Sequence, residues 1–92
     1  MSTMTFETIL RRMAAIHKAK NADYGNSYEL SARLLGRPVV EGLLHRISDK
    51  LARCCRLAQG HEAQVQDEAL QDTLIDLANY AVLAILALEG EQ

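Results

Sequence analysis

Hydrophobic positions recur along this chain every three or four residues, the period of a helix with one buried side. From about Thr5 to Lys20 the series is Phe6, Ile9, Leu10, Met13 and Ile16, with His17 at its edge, and it predicts a first helix. The stretch from Lys18 to Ser27 carries Asn, Asp, Gly and Ser and breaks the period, so a connecting turn is expected there. Ser27 is placed to cap a short helix running to Leu34 or Leu35, with Glu29 in its first turn and Gly36 as its stop.

A second long helix is predicted from about Pro38 to Gln59, ended by Gly60. Val40, Leu44, Ile47, Leu51, Cys54 and Ala58 line one side of it. At about 100° per residue, Arg46, Asp49, Arg53 and Arg56 gather on the other. A third long helix begins between Glu62 and Asp67 and runs to about Glu89, before Gly90. Its acids fall in the first turns, where the helix dipole favours them. Leu70, Leu74, Leu77, Ala81, Ile85 and Leu88 form an apolar stripe, while Glu68, Asp72, Asp76 and Asn79 share a sector on the other side. From Ala81 to Leu88 that second side turns apolar too, with Leu83 and Leu86. A helix apolar all round needs cover on every side, and the remaining short elements scarcely supply it. A homodimer or homotetramer built around this segment is therefore expected.

Composition agrees with helices. The chain has 92 residues, 49% of them hydrophobic and 24% charged, with one Pro and an aromatic share of 4%. That is an ordinary globular balance, poor in the β-branched and aromatic runs of hairpins and sandwiches. The expectation is one all-α domain over residues 1–92: a helical bundle of three long helices plus a short connecting one, completed by oligomerisation. Cys54 and Cys55 are adjacent, which argues against an intrachain disulfide framework and for two small buried hydrophobes. With no apolar run in residues 1–13 to serve as a signal or a span, a cytoplasmic protein without a membrane partner is expected.

Charge is divided along the chain. Residues 1–56 hold all ten Lys and Arg with five acids, a net +5, whereas residues 57–92 hold seven acids and neither Lys nor Arg. The halves could simply pair with each other, or they could bring cations to one part of a site and carboxylates to another. Glu68, Asp72 and Asp76, at steps of four, repel one another by a few tenths of a kcal/mol per pair unless something positive faces them. The arginines of the second long helix could do so. A divalent metal could as well, and hard oxygen ligands suit Mg²⁺ or Mn²⁺. In Arg46-Ile-Ser-Asp49-Lys50-Leu-Ala-Arg53, Asp49 could complete a metal shell while Arg46, Lys50 and Arg53 hold phosphate oxygens. The plainer alternative is Asp49 paired with arginines on its own helix.

Three ordered segments, Lys20-Asn-Ala-Asp-Tyr-Gly-Asn-Ser27, Arg46-Ile-Ser-Asp-Lys-Leu-Ala-Arg53 and Asp72-Thr-Leu-Ile-Asp-Leu-Ala-Asn-Tyr80, carry a resemblance over about residues 15 to 88. They resemble a small, often phage-associated family grouped with nucleotide modification, which is similar to the MazG-like all-α nucleoside triphosphate pyrophosphohydrolases. The resemblance implies a helical, Mg²⁺-dependent fold, usually dimeric or tetrameric, that splits an NTP or dNTP into monophosphate and pyrophosphate. In that superfamily E-x-x-E on one helix and E-x-x-D on the next bind the metal. Here Asp49 stands on the helix of the first pair, but positions 46 and 53 are Arg. Asp76 followed by Tyr80 resembles the end of the second motif; Thr73 stands three residues before it, so Asp72 serves one position off. The resemblance also implies that Asp23 meets a sugar hydroxyl or the metal and that Tyr24 stacks on a base.

As an enzyme, the chain would hold one or two Mg²⁺ with Asp49, Glu68, Asp72 and Asp76. Lys50, with Arg46 and Arg53, would offset charge on the phosphates, and Asn79 and Tyr80 would orient the nucleotide. Asp72, Asp76 and Lys50 are the expected catalytic residues. Two other classes compete: a nucleotide-binding or sensing module without hydrolysis, and a small helical interaction protein using the basic face of the second long helix on DNA. The overall charge of −2 and the lack of interleaved aromatic and basic residues weigh against nucleic acid.

Overall fold

The computed structural model describes the backbone of residues 4–24, 27–60 and 63–90, and the side chains of 4–21, 29–60 and 67–90 within them. Four helices follow in order, α1 Phe6–Tyr24, α2 Ser27–Leu35, α3 Val39–Ala58 and α4 Ala63–Gly90, with no strand among the described residues. The all-helical reading and all four elements are therefore present.

Local chemistry explains most of the boundaries. Thr5 and Thr8 close the start of α1 reciprocally: Thr8 N–H donates to Thr5 Oγ1 at 3.2 Å and Thr5 N–H to Thr8 Oγ1 at 2.8 Å. The far end of α1 differs from expectation, because the helix continues past Lys20 to Tyr24. Asn21 and Asp23 each cost under about 0.7 kcal/mol in a helix, too little to stop one already propagating. Asp23 and Tyr24 thus belong to the last turn of α1 rather than to a loop, though their side chains, like that of Ser27, which was expected as a cap, lie outside the described ones. Gly36 stops α2 as expected, with φ +66°, while Arg37 N–H closes back on Ala32 O at 3.0 Å. α3 ends differently, on a tightened turn in which Gln59 and Gly60 N–H reach Arg56 O and Leu57 O. α4 starts with no acid in its first turn, so Asp67 and Glu68 sit a turn further in, where the dipole acts less.

α3 and α4 make the most extensive contact; α2 lies on α3 and α1 on α4. Lys50 faces Asp76 and Arg53 faces Thr73, so numbers rise on one helix as they fall on the other and the pair is antiparallel. The seam holds Leu43, fully buried, with Cys54, Thr73 and Ala84. The buried side of α3 is turned from the expected one. Leu43, absent from the predicted stripe, is its centre, whereas Leu44 and Leu51 are 53% and 54% exposed. The apolar arc of α3 is wider than one neighbour can cover, and α4 takes the half nearer Leu43. By the same rotation Cys54 is buried but Cys55, about 100° away, is exposed, which corrects the expectation of two buried cysteines. On α4, Leu70, Leu77 and Ala81 are half-buried while Leu74, Ile85 and Leu88 remain exposed. On α1, Ile9, Met13 and Ile16 are half-buried, but Phe6 and Leu10 face outward.

Candidate functional site

Where α1, α3 and α4 meet, polar side chains replace the apolar seam. Asp76 is the centre. Its side chain is 23% exposed, and two cations from different helices share it: Lys20 Nζ from α1 at 3.0 Å from Oδ1, and Lys50 Nζ from α3 at 3.3 Å from Oδ2. Lys20 continues the α1 series Ile9, Met13, Ile16 by one more step of four, which aims a cation at the helix α1 packs against. One turn earlier on α4, Asp72 Oδ1 accepts from Arg12 Nη2 of α1 at 2.6 Å, in a more exposed pair.

Next to Asp72 in the chain, Thr73 faces α3 through Arg53 and is buried at 4% exposure. Its hydroxyl donates to Ala69 O at 2.7 Å and accepts from Arg53 Nε at 3.3 Å. The hydroxyl satisfies itself on the preceding turn and leaves a lone pair to fix the guanidinium. Asn79 Nδ2 donates to Met13 O at 3.2 Å, so this amide ties α1 to α4. Tyr80, half-buried, follows Asp76 one turn on.

The other expected site residues lie apart. Asp49 and Glu68 are exposed and form no hydrogen bond or ion pair among the described residues. Arg46 borders a separate groove between α2 and α3, with Arg37, Glu41 and His45. Of the four carboxylates expected to share a metal, Asp72 and Asp76 stand together, each bound to cations. Among the described residues, no three His, Cys, Asp or Glu side chains are grouped to hold a metal ion. Mg²⁺ commonly binds through one or two carboxylates, several waters and the phosphates of a substrate. Asp72 and Asp76 are too few for an all-protein cage and would suit only such a shared site, with waters and a ligand's oxygens completing the shell.

Two participants escaped the sequence reading, Lys20 and Arg12. Lys20 opens one of the motifs and extends an apolar stripe, a detectable signal; Arg12 sits at a stripe edge and had none. Arg12, Lys20 and Lys50 pair with two carboxylates, Asp72 and Asp76, and Arg53 is held beside them by Thr73. Such a cluster can take up an anion of two or more charges, provided the lysines exchange carboxylate for ligand oxygens.

The fold and this seam define an all-helical protein with a cation-rich polar site between antiparallel helices. Residues 20–88 match the family described as Nucleotide modification associated domain 1, and the chain belongs to that family. The matched span opens at Lys20 and takes in Lys50, Arg53, Asp72, Asp76 and Tyr80, leaving Arg12 outside. No curated protein and no solved structure is significantly similar to the chain.

Proposed function

We propose that the chain binds a magnesium–nucleoside triphosphate at the Lys20–Asp76–Lys50 seam and hydrolyses it to the monophosphate and pyrophosphate. The observation that carries this reading is the convergence of two lysines, from two helices, on one half-buried carboxylate. The family's association with nucleotide modification supports a nucleotide as the ligand, and the resemblance to MazG-like pyrophosphohydrolases supports the bond cleaved.

In this reading Asp76 and Asp72 would hold the magnesium ion that accompanies the triphosphate, and the ion would supply neutralisation of charge on the phosphate oxygens. Lys20, Lys50 and Arg53 then pair with phosphate oxygens, Arg53 held in plane by Thr73. A water oxygen attacks the α-phosphorus, and the bond from that phosphorus to the oxygen bridging the β-phosphorus breaks. Pyrophosphate departs with the electron pair and the water's proton passes to solvent. The lysines offset the charge on the departing group.

Pyrophosphate release from a panel of NTPs and dNTPs, with Mg²⁺, tests the proposal. Turnover is expected for the unchanged chain and a loss of at least about a hundredfold for Asp76→Asn, the scale of removing one electrostatic contact to the transition state. Turnover undiminished in Asp76→Asn would overturn it. A second reading is a nucleotide-binding or sensing module without hydrolysis. It is favoured by the exposure of Asp49 and Glu68 away from Asp76, and would be read as binding without pyrophosphate release.

A further inference from the structure

We infer that the groove between α2 and α3 takes the sugar and base of the nucleotide whose phosphates lie at the Lys20–Asp76–Lys50 seam, an inference that rests on the reading of the seam given above. The groove has a volume of about 350 Å³ and is walled by Ala32 and Leu35 of α2, Pro38 in the connection, and Gly42, His45 and Arg46 of α3. A cleft of this size, apolar with a few polar groups, is the usual form of a small-ligand site.

Gly42 opens the groove. It sits inside α3, where glycine is less stable than alanine, and a Cβ at this position would meet nothing within 4 Å. Ala32, at 6% exposure, supplies a second small side chain. Together they leave a slot that a flat ring can enter, with Leu35 and Pro38 as apolar surface against it. His45 and Arg46 bring the donors, and neutral His45 an acceptor, that a base edge or a sugar hydroxyl needs.

Arg46 links this groove to the seam. It stands one turn, about 6 Å, before Lys50 on α3. At 100° per residue Gly42, Arg46, Lys50 and Arg53 fall within about 80° of one another, so groove and seam are successive stretches of one side of α3. Arg37, on the groove's rim, is paired with Glu41. Arg46 forms no hydrogen bond or ion pair among the described residues, which leaves its guanidinium for the phosphate next to the sugar. Lys50 and Lys20 then meet the outer phosphates, the pair that departs as pyrophosphate. From Gly42 to Lys50 the helix rises about 12 Å, a span that a sugar and a triphosphate chain can cover.

Two other clefts do not continue the seam in this way. One, between α1 and α4 beside Ile9, Met13 and Leu74, is lined by no charged side chain. The other lies at the Gly90 end of α4, where Val39 is its contribution from α3, about 16 Å along the helix from Lys50.

Calorimetric titration of the full chain tests the inference with two magnesium-bound probes, the α,β-methylene analogues of the common NTPs and dNTPs, and inorganic tripolyphosphate. In Gly42→Leu, which fills the groove, the analogues should bind at least about tenfold more weakly while tripolyphosphate binds as before. Lys50→Ala should weaken both probes. The melting temperature of Gly42→Leu should not fall, since leucine favours a helix over glycine and its Cβ has open space. If leucine perturbs the fold, Gly42→Gln is read in the same way. Unchanged affinity for the analogues in the Gly42 variants, with affinity lost in Lys50→Ala, would overturn the inference and leave the seam reading intact. Equal weakening of both probes by Gly42→Leu would overturn it too. No binding of either probe, or no effect of Lys50→Ala on either, would remove the seam reading and this inference with it.

Discussion

Lys50 reaches from α3 to Asp76 of α4, its Nζ 3.3 Å from Oδ2, while the opposite oxygen of the same carboxylate is taken by a lysine of α1. One side chain therefore joins three helices, and that same side chain is central to the proposed chemistry. A residue that both holds the fold and handles ligand gives up some stability when ligand draws it away from its partners.

Asp76→Asn should cost about 1–2 kcal/mol, since the part-buried Lys50 ammonium and the more exposed Lys20 ammonium lose a charge-assisted partner. For a domain this size each kcal/mol lowers the melting temperature by about 4–8 °C. Thermal unfolding followed by circular dichroism reads the shift. An unchanged melting temperature would mean the two lysines do not depend on Asp76.

Asn79→Ala should loosen α1 without unseating α3 from α4, because Asn79 is a hydrogen-bond tie from α4 to the α1 backbone at Met13. Hydrogen exchange should quicken in α1 and stay slow around Leu43 and Ala84. Arg12→Ala, which removes a more exposed pair, should cost under about 1 kcal/mol, and less still as salt is raised. Equal protection of α1 and α3 in Asn79→Ala would rule out the tie.

Leu43→Ala should cost about 2–5 kcal/mol, as Leu43 is fully buried between α3 and α4. Leu34→Ala, at a position 77% exposed, should change stability by less than about 0.5 kcal/mol. Urea unfolding of the two variants compares them directly. Similar midpoints would place the core elsewhere.

Helix periods made the four elements legible, because one apolar series per helix is enough to define it. Glu68, Asp72 and Asp76 could be put on one side of α4 for the same reason. Which way each helix turns was not legible where apolar residues cover more than half its circumference. On α3 both Leu43 and Leu44 suit a core, and only the position of α4 decides between them. The role of Lys20 was hidden for a related reason, since a cation at the end of a stripe acquires meaning once the facing carboxylate is known. Thr73, three residues before Asp76 where the resembled motif has a glutamate, proves to hold Arg53.

Calorimetric titration with a magnesium-bound, non-hydrolysable nucleoside triphosphate analogue tests the central claim most directly, because it reads the seam without requiring turnover. Binding should be measurable for the unchanged chain and at least tenfold weaker in Lys50→Ala and in Lys20→Ala, about 1.4 kcal/mol for each lost cation. Equal affinity in both variants, or no heat with any base, would contradict the assignment of this seam to a nucleotide's phosphates.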